Sequence, residues 1–154
     1  MNMNRNVVLI ILITIIFSAA ACSKQDTSQI GNPQSVVENY FNSMNEKNID
    51  EHLKTLSENE KRNQGKINFD KIEYINIISI DEEMDTKFKE GYLQNGRGKE
   101  KGISEENLKV YRVKYDVKYK EGTITARDSG TYEEWYWVIR ENSNSPWVID
   151  DAGV

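Results

Sequence analysis

The chain has 154 residues, with 25 acidic and 20 basic side chains, one His, one Cys and a formal net charge of −5 at pH 7. This length suits one domain, and a single Cys excludes both an intramolecular disulfide and a cysteine-built zinc site. The excess of acidic over basic residues argues against nucleic acid as a partner, because phosphate binding requires a clustered cationic face. Hydrophobic residues make up 38% of the chain, which is enough to build a core.

The amino-terminal segment has the three-part order of a secretory signal. Arg5 precedes an apolar run over residues 7–17, and small residues follow up to Ala21. As a helix, residues 7–21 would span ~22 Å, which is less than the ~30 Å hydrocarbon core of a bilayer. We therefore expect residues 1–21 to be a signal peptide; a short membrane anchor is the alternative.

Cys22 directly follows the small residues Ser18-Ala19-Ala20-Ala21. This arrangement resembles the lipobox of bacterial lipoproteins, although Ala19 stands where that motif usually has Leu. In those proteins signal peptidase II cleaves before the Cys, and the sulfur then carries a diacylglycerol. The resemblance implies that Cys22 is the lipid attachment site. The mature chain would then be a lipoprotein at the extracytoplasmic face of the cell membrane, anchored through its N-terminal lipid.

The next eleven positions, residues 22–32, are polar, include Gly and Ser, and show no apolar period. This composition is typical of a flexible tether, whose root-mean-square length would be ~18 Å. The remaining residues, 33–154, are predicted to form one domain.

Two helices are predicted at the start of this domain. Asn32 as N-cap and Pro33 in the first turn mark where the first begins. Its apolar positions recur with the helical period and form one stripe: Val36, Val37, Tyr40, Phe41 and Met44. A shorter helix follows Asn48, with inward positions at Ile49, Leu53 and Leu56. Polar residues 58–65 end the helical part.

The period then changes from helical to alternating, which predicts about four strands. They cover residues 72–80, 109–120, 131–140 and 147–150. The second is the clearest, because one face carries only apolar or aromatic residues: Tyr111, Val113, Tyr115, Val117 and Tyr119. Residues 81–107 are charged and lack a sustained period, so we expect a long functional or mobile loop.

Helices followed by consecutive strands predict an α+β fold, with N-terminal helices packed on one face of an antiparallel sheet. The order of elements resembles the cystatin-like, nuclear-transport-factor-two-like cone fold, which implies a strongly curved sheet. More narrowly, the lipobox and the segments ENYFNSMNEKNID, KVYRVKYDVKYK and SPWVIDDAGV resemble small uncharacterised lipoproteins of Gram-positive bacteria. That resemblance extends from about Pro33 to Val154. One departure is Ala152, where an aromatic residue would be expected.

A candidate pocket involves the two acids near the C-terminus. Strand alternation places Trp147, Ile149 and Asp151 on one face and Asp150 on the other. An inward Asp151 beside Trp147, with Tyr115 as hydrogen-bond donor, would match the cone-fold ketosteroid isomerases, which use an Asp and a Tyr. The alternative is a strand end at which the acids return to water.

Three other features have ordinary explanations. His52 lies at the edge of the apolar stripe of the second helix, where we expect it to hydrogen-bond a neighbour. The glycine-containing segment 96–102 resembles a phosphate-binding loop only superficially, and a solvated mobile loop is favoured. The acids within residues 81–85 lack the calcium-binding pattern of an EF-hand and fit a solvated strand end. We therefore predict neither a metal site nor a cofactor.

The favoured function is a lipid-anchored extracytoplasmic domain that binds a protein or a small molecule without catalysis. Two alternatives stay open. One is an enzyme with an inward Asp as general base and a Tyr donor acting on a small apolar molecule. The other is a structural or inhibitory surface protein of cystatin kind.

We predict that replacing Cys22 with Ala abolishes acylation, because the thiol is the only group in the chain that this modification uses. Cells fed a clickable fatty acid should label the wild-type protein and leave Cys22→Ala unlabelled. Equal labelling of the two proteins would contradict the lipobox assignment.

Overall fold

The computed structural model describes residues 31–64 and 68–153. The predicted signal peptide (1–21), Cys22 and most of the predicted tether (22–32) lie outside the described residues. In chain order the helices and strands are α1 (Pro33–Asn45), α2 (Ile49–Lys54), α3 (Glu58–Gln64), β1 (Ile72–Glu82), α4 (Thr86–Asn95), α5 (Arg97–Lys101), β2 (Leu108–Tyr119), β3 (Gly130–Ile139) and β4 (Val148–Gly153).

The four strands form one antiparallel sheet in the order β1-β2-β3-β4. The predicted α+β class is therefore confirmed. Residues 120–129 connect β2 to β3 and residues 140–147 connect β3 to β4, and in each case strands that follow one another in the chain are neighbours in the sheet. Within the described residues, no helix combines the length and the apolar character needed to cross a bilayer.

Helix α1 forms as predicted and covers the inner face of the sheet. The side chain of Asn32 caps it by accepting a hydrogen bond from the Gln34 amide at 3.1 Å. All five residues of the predicted stripe are buried. They pack on the inner residues of the strands, which include Ile75, Val113, Val117, Tyr136 and Val138.

The opposite, outer face of the sheet is also covered at one end. Phe88 of α4 stacks on Trp135 of β3 with 5.1 Å between ring centroids. A second apolar cluster forms there, with four buried members: Tyr92, Leu108, Val110 and Ile139. The N-terminal helices pack on one face as predicted, but α4 and α5 cover part of the other face, which was not predicted; the N-terminal end of β2 carries apolar residues on both faces.

Residues 81–107 are accordingly not a long loop. β1 continues to Glu82, and the side chain of Asp85 caps α4 by accepting from the Lys87 amide at 3.1 Å. The segment contributes few core residues, chiefly Phe88 and Tyr92, among many charged ones. The apolar pattern is consequently too sparse to identify α4 and α5 from the sequence.

Helix α2 differs from the prediction in its orientation. Ile49 is 55% exposed, whereas His52 is buried. The His52 ring lies between the rings of Tyr40 and Phe69, and its Nδ1 is 3.1 Å from the Ser43 hydroxyl. His52 thus hydrogen-bonds a neighbour as expected, but from inside the core. Residues 58–64, predicted to end the helical part, form α3.

Both edges of the sheet are partly covered by other segments. The Ile149 amide of β4 donates to the Thr55 carbonyl at 2.8 Å, and the Ser57 amide donates to the Ile149 carbonyl at 2.8 Å. At the other edge, the Asn45 carboxamide bonds both the amide (2.7 Å) and the carbonyl (2.5 Å) of Ile75. These contacts satisfy backbone groups that an edge strand leaves unpaired.

Two glycines of the α4–α5 segment give a matched test of its packing. A Cβ at Gly98 would lie 2.6 Å from ring carbons of Tyr92, whereas a Cβ at Gly91 would meet nothing within 4 Å. We expect Gly98→Ala to lower the free energy of unfolding by about 1–3 kcal/mol through overpacking. Gly91→Ala should raise it by about 0.5–1 kcal/mol, since Ala is the better helix former.

Urea unfolding followed by circular dichroism would measure both changes. Equal shifts of the two midpoints would show that α5 does not pack against Tyr92 in this way.

Candidate functional site

A cavity of about 450 Å³ lies between α1 and the inner face of the sheet. We call it the α1 cavity. Its volume falls within the range of small-molecule sites. Residues 120–129, which connect β2 to β3 and which we call the cover loop, close one side of it. Most of the lining is apolar or aromatic, and includes Phe41, Met44, Ile75, Val117 and Tyr119.

The cavity follows from the sizes of the residues that face it. Tyr40 and Phe41 of α1 project towards the sheet, where Phe41 packs 5.0 Å from the ring of Tyr115. The neighbouring floor positions carry the shorter side chains of Ile75 and Val117. Large rings therefore hold the helix above the sheet, while the smaller side chains beside them leave space unfilled.

One wall of the α1 cavity holds a buried carboxylate, Glu134. It lies on the inner face of β3, where it pairs with Val113 of β2. Its Oε2 accepts hydrogen bonds from the hydroxyls of Tyr115 (2.9 Å) and Tyr136 (3.2 Å). Its Oε1 accepts from the Arg127 guanidinium at 2.5 Å. We call these four residues the Glu134 cluster; its hydrogen bonds compensate the burial of the charge.

The electrostatics of the cluster keep its donors protonated. Burial, together with the nearby negative charge of Glu134, raises the pKa of Tyr115 and of Tyr136. Burial alone would disfavour the charged form of Arg127, but its hydrogen bond to Glu134 and the neighbouring groups raise its pKa above the usual value. At neutral pH the two phenols and the guanidinium are therefore donors, and each is directed at the same carboxylate.

The cover loop is attached to the rest of the site at separate points. The Lys71 ammonium donates to the Ile124 carbonyl at 2.7 Å, and the Tyr132 hydroxyl donates to the Asp128 carbonyl at 2.6 Å. Ile124 itself is 88% exposed. The Arg127 side chain, 43% exposed, provides the contact with the cavity wall. Within the loop, Arg127 is the residue whose side chain hydrogen-bonds Glu134 and Tyr115 on the buried wall.

The three residues predicted to form a pocket lie in different places. Tyr115 lines the α1 cavity. Trp147 is buried beneath the guanidinium of Arg140, 4.5 Å from its ring centroid, and does not line that cavity. The Asp151 carboxylate is 38% exposed and lies 3.7 Å from Arg97. Of these three, only Tyr115 belongs to the cavity described above.

Sequence reasoning missed Glu134 and Arg127. A signal for Glu134 was present, because it shares its strand face with Tyr132, Tyr136 and Val138 in the segment TYEEWYWVIR. An acid on an otherwise apolar strand face requires a buried partner. No comparable signal marks Arg127, which lies outside any regular element.

A second buried carboxylate, Asp150, interrupts the alternation predicted for β4. Trp137 pairs with Asp151 while Val138 pairs with Ile149, so Asp150 is the extra residue of a β-bulge. Asp150 is fully buried. Because of the bulge, Asp150 is buried beside Ile149, whereas Asp151 is partly exposed to solvent.

The partners of Asp150 come from the outer layer of helices. The Tyr92 hydroxyl donates to its Oδ2 at 2.5 Å, the Lys101 ammonium pairs with its Oδ1, and Arg97 donates to its backbone carbonyl. Arg97 also pairs with the buried Glu60 at 2.5 Å. The segment 96–102, expected to be a solvated mobile loop, is instead a short helix whose cations reach this acid.

The acids within residues 81–85 have individual roles. Glu82 pairs with Lys109 at 2.7 Å, Glu83 accepts from the Trp135 indole at 2.9 Å, and Asp85 caps α4. Across residues 31–64 and 68–153, no group of three or more His, Cys, Asp or Glu side chains is arranged to hold a metal ion.

Comparison with known proteins places this architecture in a family. Neither the curated proteins nor the solved structures include a significant match to the chain. The model of one protein family, described as a domain of unknown function, DUF4829, matches residues 34–153. This match includes α1, the whole sheet, the cover loop and both buried carboxylates. The chain therefore belongs to the DUF4829 family.

Proposed function

We propose that this chain is a lipid-anchored, extracytoplasmic binding domain that holds a small, largely apolar molecule in the α1 cavity. The observation that supports this most is the cavity itself, about 450 Å³ in volume with a mostly apolar and aromatic lining. Sites for small molecules typically combine such a lining with a few polar groups at one wall. The Glu134 cluster supplies those polar groups.

Binding is favoured over catalysis by the state of the acid in the cavity. A general base needs a carboxylate that is available to accept a proton from its substrate. Glu134 is instead occupied by Arg127 and two phenols, and Asp151 lies outside the lining. The enzyme with an inward Asp and a Tyr donor is thus the weaker proposal. Among residues 31–64 and 68–153, no particular contact favours an inhibitor of cystatin kind.

Two finer inferences belong to the same proposal. The cone-type likeness is supported by the order of the elements and by a cavity between the first helix and the sheet. The location at a membrane rests on the sequence around Cys22. A domain with an excess of acidic residues is repelled by anionic headgroups, so the lipid would have to provide the anchoring.

The binding proposal is tested with a neutral aromatic probe, naphthamide, titrated calorimetrically into the full chain at constant detergent. A dissociation constant below about 1 mM is expected for a probe of this size. Ala126→Trp should weaken binding at least tenfold, because Ala126 lines the cavity from the exposed cover loop. Placing the bulky ring on this loop blocks access without disturbing the core.

Glu121→Trp is the matched control, because Glu121 is exposed on the same loop but does not line the cavity. It should bind the probe as the wild type does. Equal losses of affinity in both variants would contradict the proposal that the probe occupies the α1 cavity.

A further inference from the structure

We propose that the ligand of the α1 cavity is an organic cation, an amidinium, guanidinium or ammonium group on an apolar body, and that Arg127 occupies the cation position until the ligand displaces it. This inference rests on the proposed binding function and specifies the ligand class. Three observations support it: the contacts of Arg127, the position of Arg127 on the cover loop, and the other residues that line the α1 cavity.

The contacts of Arg127 define a cation subsite. Its Nη1 lies 2.5 Å from Glu134 Oε1 and 2.9 Å from the Tyr115 hydroxyl. Its Cζ lies 5.0 Å from the centroid of the Tyr132 ring, within the range of a cation–π interaction. A carboxylate beside aromatic rings is the environment that recognises organic cations. An anion at the same position would face the negative charge of Glu134.

The two members of the ion pair differ in how firmly the fold holds them. Glu134 is fixed on a central strand, and its side chain is only 11% exposed. Arg127 comes from the cover loop, and its side chain is 43% exposed. Displaced Arg127 regains water at little cost, whereas Glu134 stays buried and requires another cation. Ligand binding is therefore an exchange of one cation for another at a fixed carboxylate.

The backbone of the cover loop allows such an exchange. Gly122 of the loop has a φ angle of +73°, and Gly130, the first residue of β3 directly after the loop, has a φ angle of +157°; a Cβ at either position would meet nothing within 4 Å. Glycine tolerates changes of φ and ψ that other residues resist. The loop can thus move Arg127 without altering the strands that carry Glu134 and Tyr115.

The remaining lining specifies the rest of the ligand. Phe41, Met44, Ile75 and Val117 form a continuous apolar part of the lining, so we expect an apolar body for the ligand. The other polar side chains that line the cavity belong to Tyr40, Asn68, Lys71, Tyr119 and Thr125. The second cation of the lining, Lys71, is bound to the Ile124 carbonyl on the loop. Its bond lies in an exposed position, where solvent and salt screen the charge.

Three probes that share one ring system but differ in charge test this inference: cationic naphthamidine, neutral naphthamide and anionic naphthoate. Calorimetric titration uses the full chain, Arg127→Ala and Arg127→Gln. The second variant retains a donor for Glu134 if the first does not fold. We expect naphthamidine to bind the wild type more tightly than naphthamide. Removing the Arg127 charge should increase the affinity for naphthamidine, relative to that for naphthamide, at least tenfold.

Two further variants complete the design. Glu134→Gln should remove the preference for the cation, because its amide carries no charge. Arg112→Ala removes an exposed Arg from the outer face of β2 and should leave the ratio unchanged. A preference for naphthoate, or a ratio that Arg127 variants do not change, would overturn the inference while the binding function stands. Failure of all three probes to bind any variant would overturn the binding function itself.

Discussion

Glu134 projects from a central strand into the space between α1 and the sheet, and a carboxylate in that position must be matched by donors or by a cation. Leaving it unpaired would cost several kcal/mol. Tyr115 and Tyr136 reach it from the same sheet face, and Arg127 reaches it from the cover loop. The contact between the cover loop and the buried wall of the cavity therefore depends on this one acid.

The protein buries a second acid in a different way. Asp150 is matched by Tyr92 and Lys101 from the outer helices α4 and α5, which pack on the sheet through their own apolar cluster. Tyr92 is therefore held by packing, whereas Arg127, the cation opposite Glu134, comes from a loop outside any helix or strand. Asp150 fixes one layer of the fold to the C-terminal strand. Under the proposed exchange, Glu134 is the acid whose cationic partner changes when a ligand binds.

The sequence predicted those elements in which the spacing of apolar residues stays regular over several helical turns or over a whole strand. The stripe of α1 and the alternation of β2 are of this kind. The outer layer escaped prediction because α4 buries few residues, chiefly Tyr92, among charged ones, and because Leu108 and Val110 lie on the face of β2 that is otherwise charged. A β-bulge at Asp150 shifts one residue out of alternation, and the pattern of the sequence gives no sign of it. The candidate site could be predicted only in part from the sequence. Tyr115 was identified, but the pairing of Arg127 with Glu134 depends on the path of the loop between β2 and β3.

Strand β1 ends the sheet, and its outward backbone groups are the natural starting point for cross-β growth. The Asn45 carboxamide bonds both polar groups of Ile75 with the pairing that another strand would use. A peptide from a second molecule would have to displace this side chain before it could add to that end of the sheet. The Asn45 amide at the end of the first helix thus blocks the addition of another strand at this point of the edge.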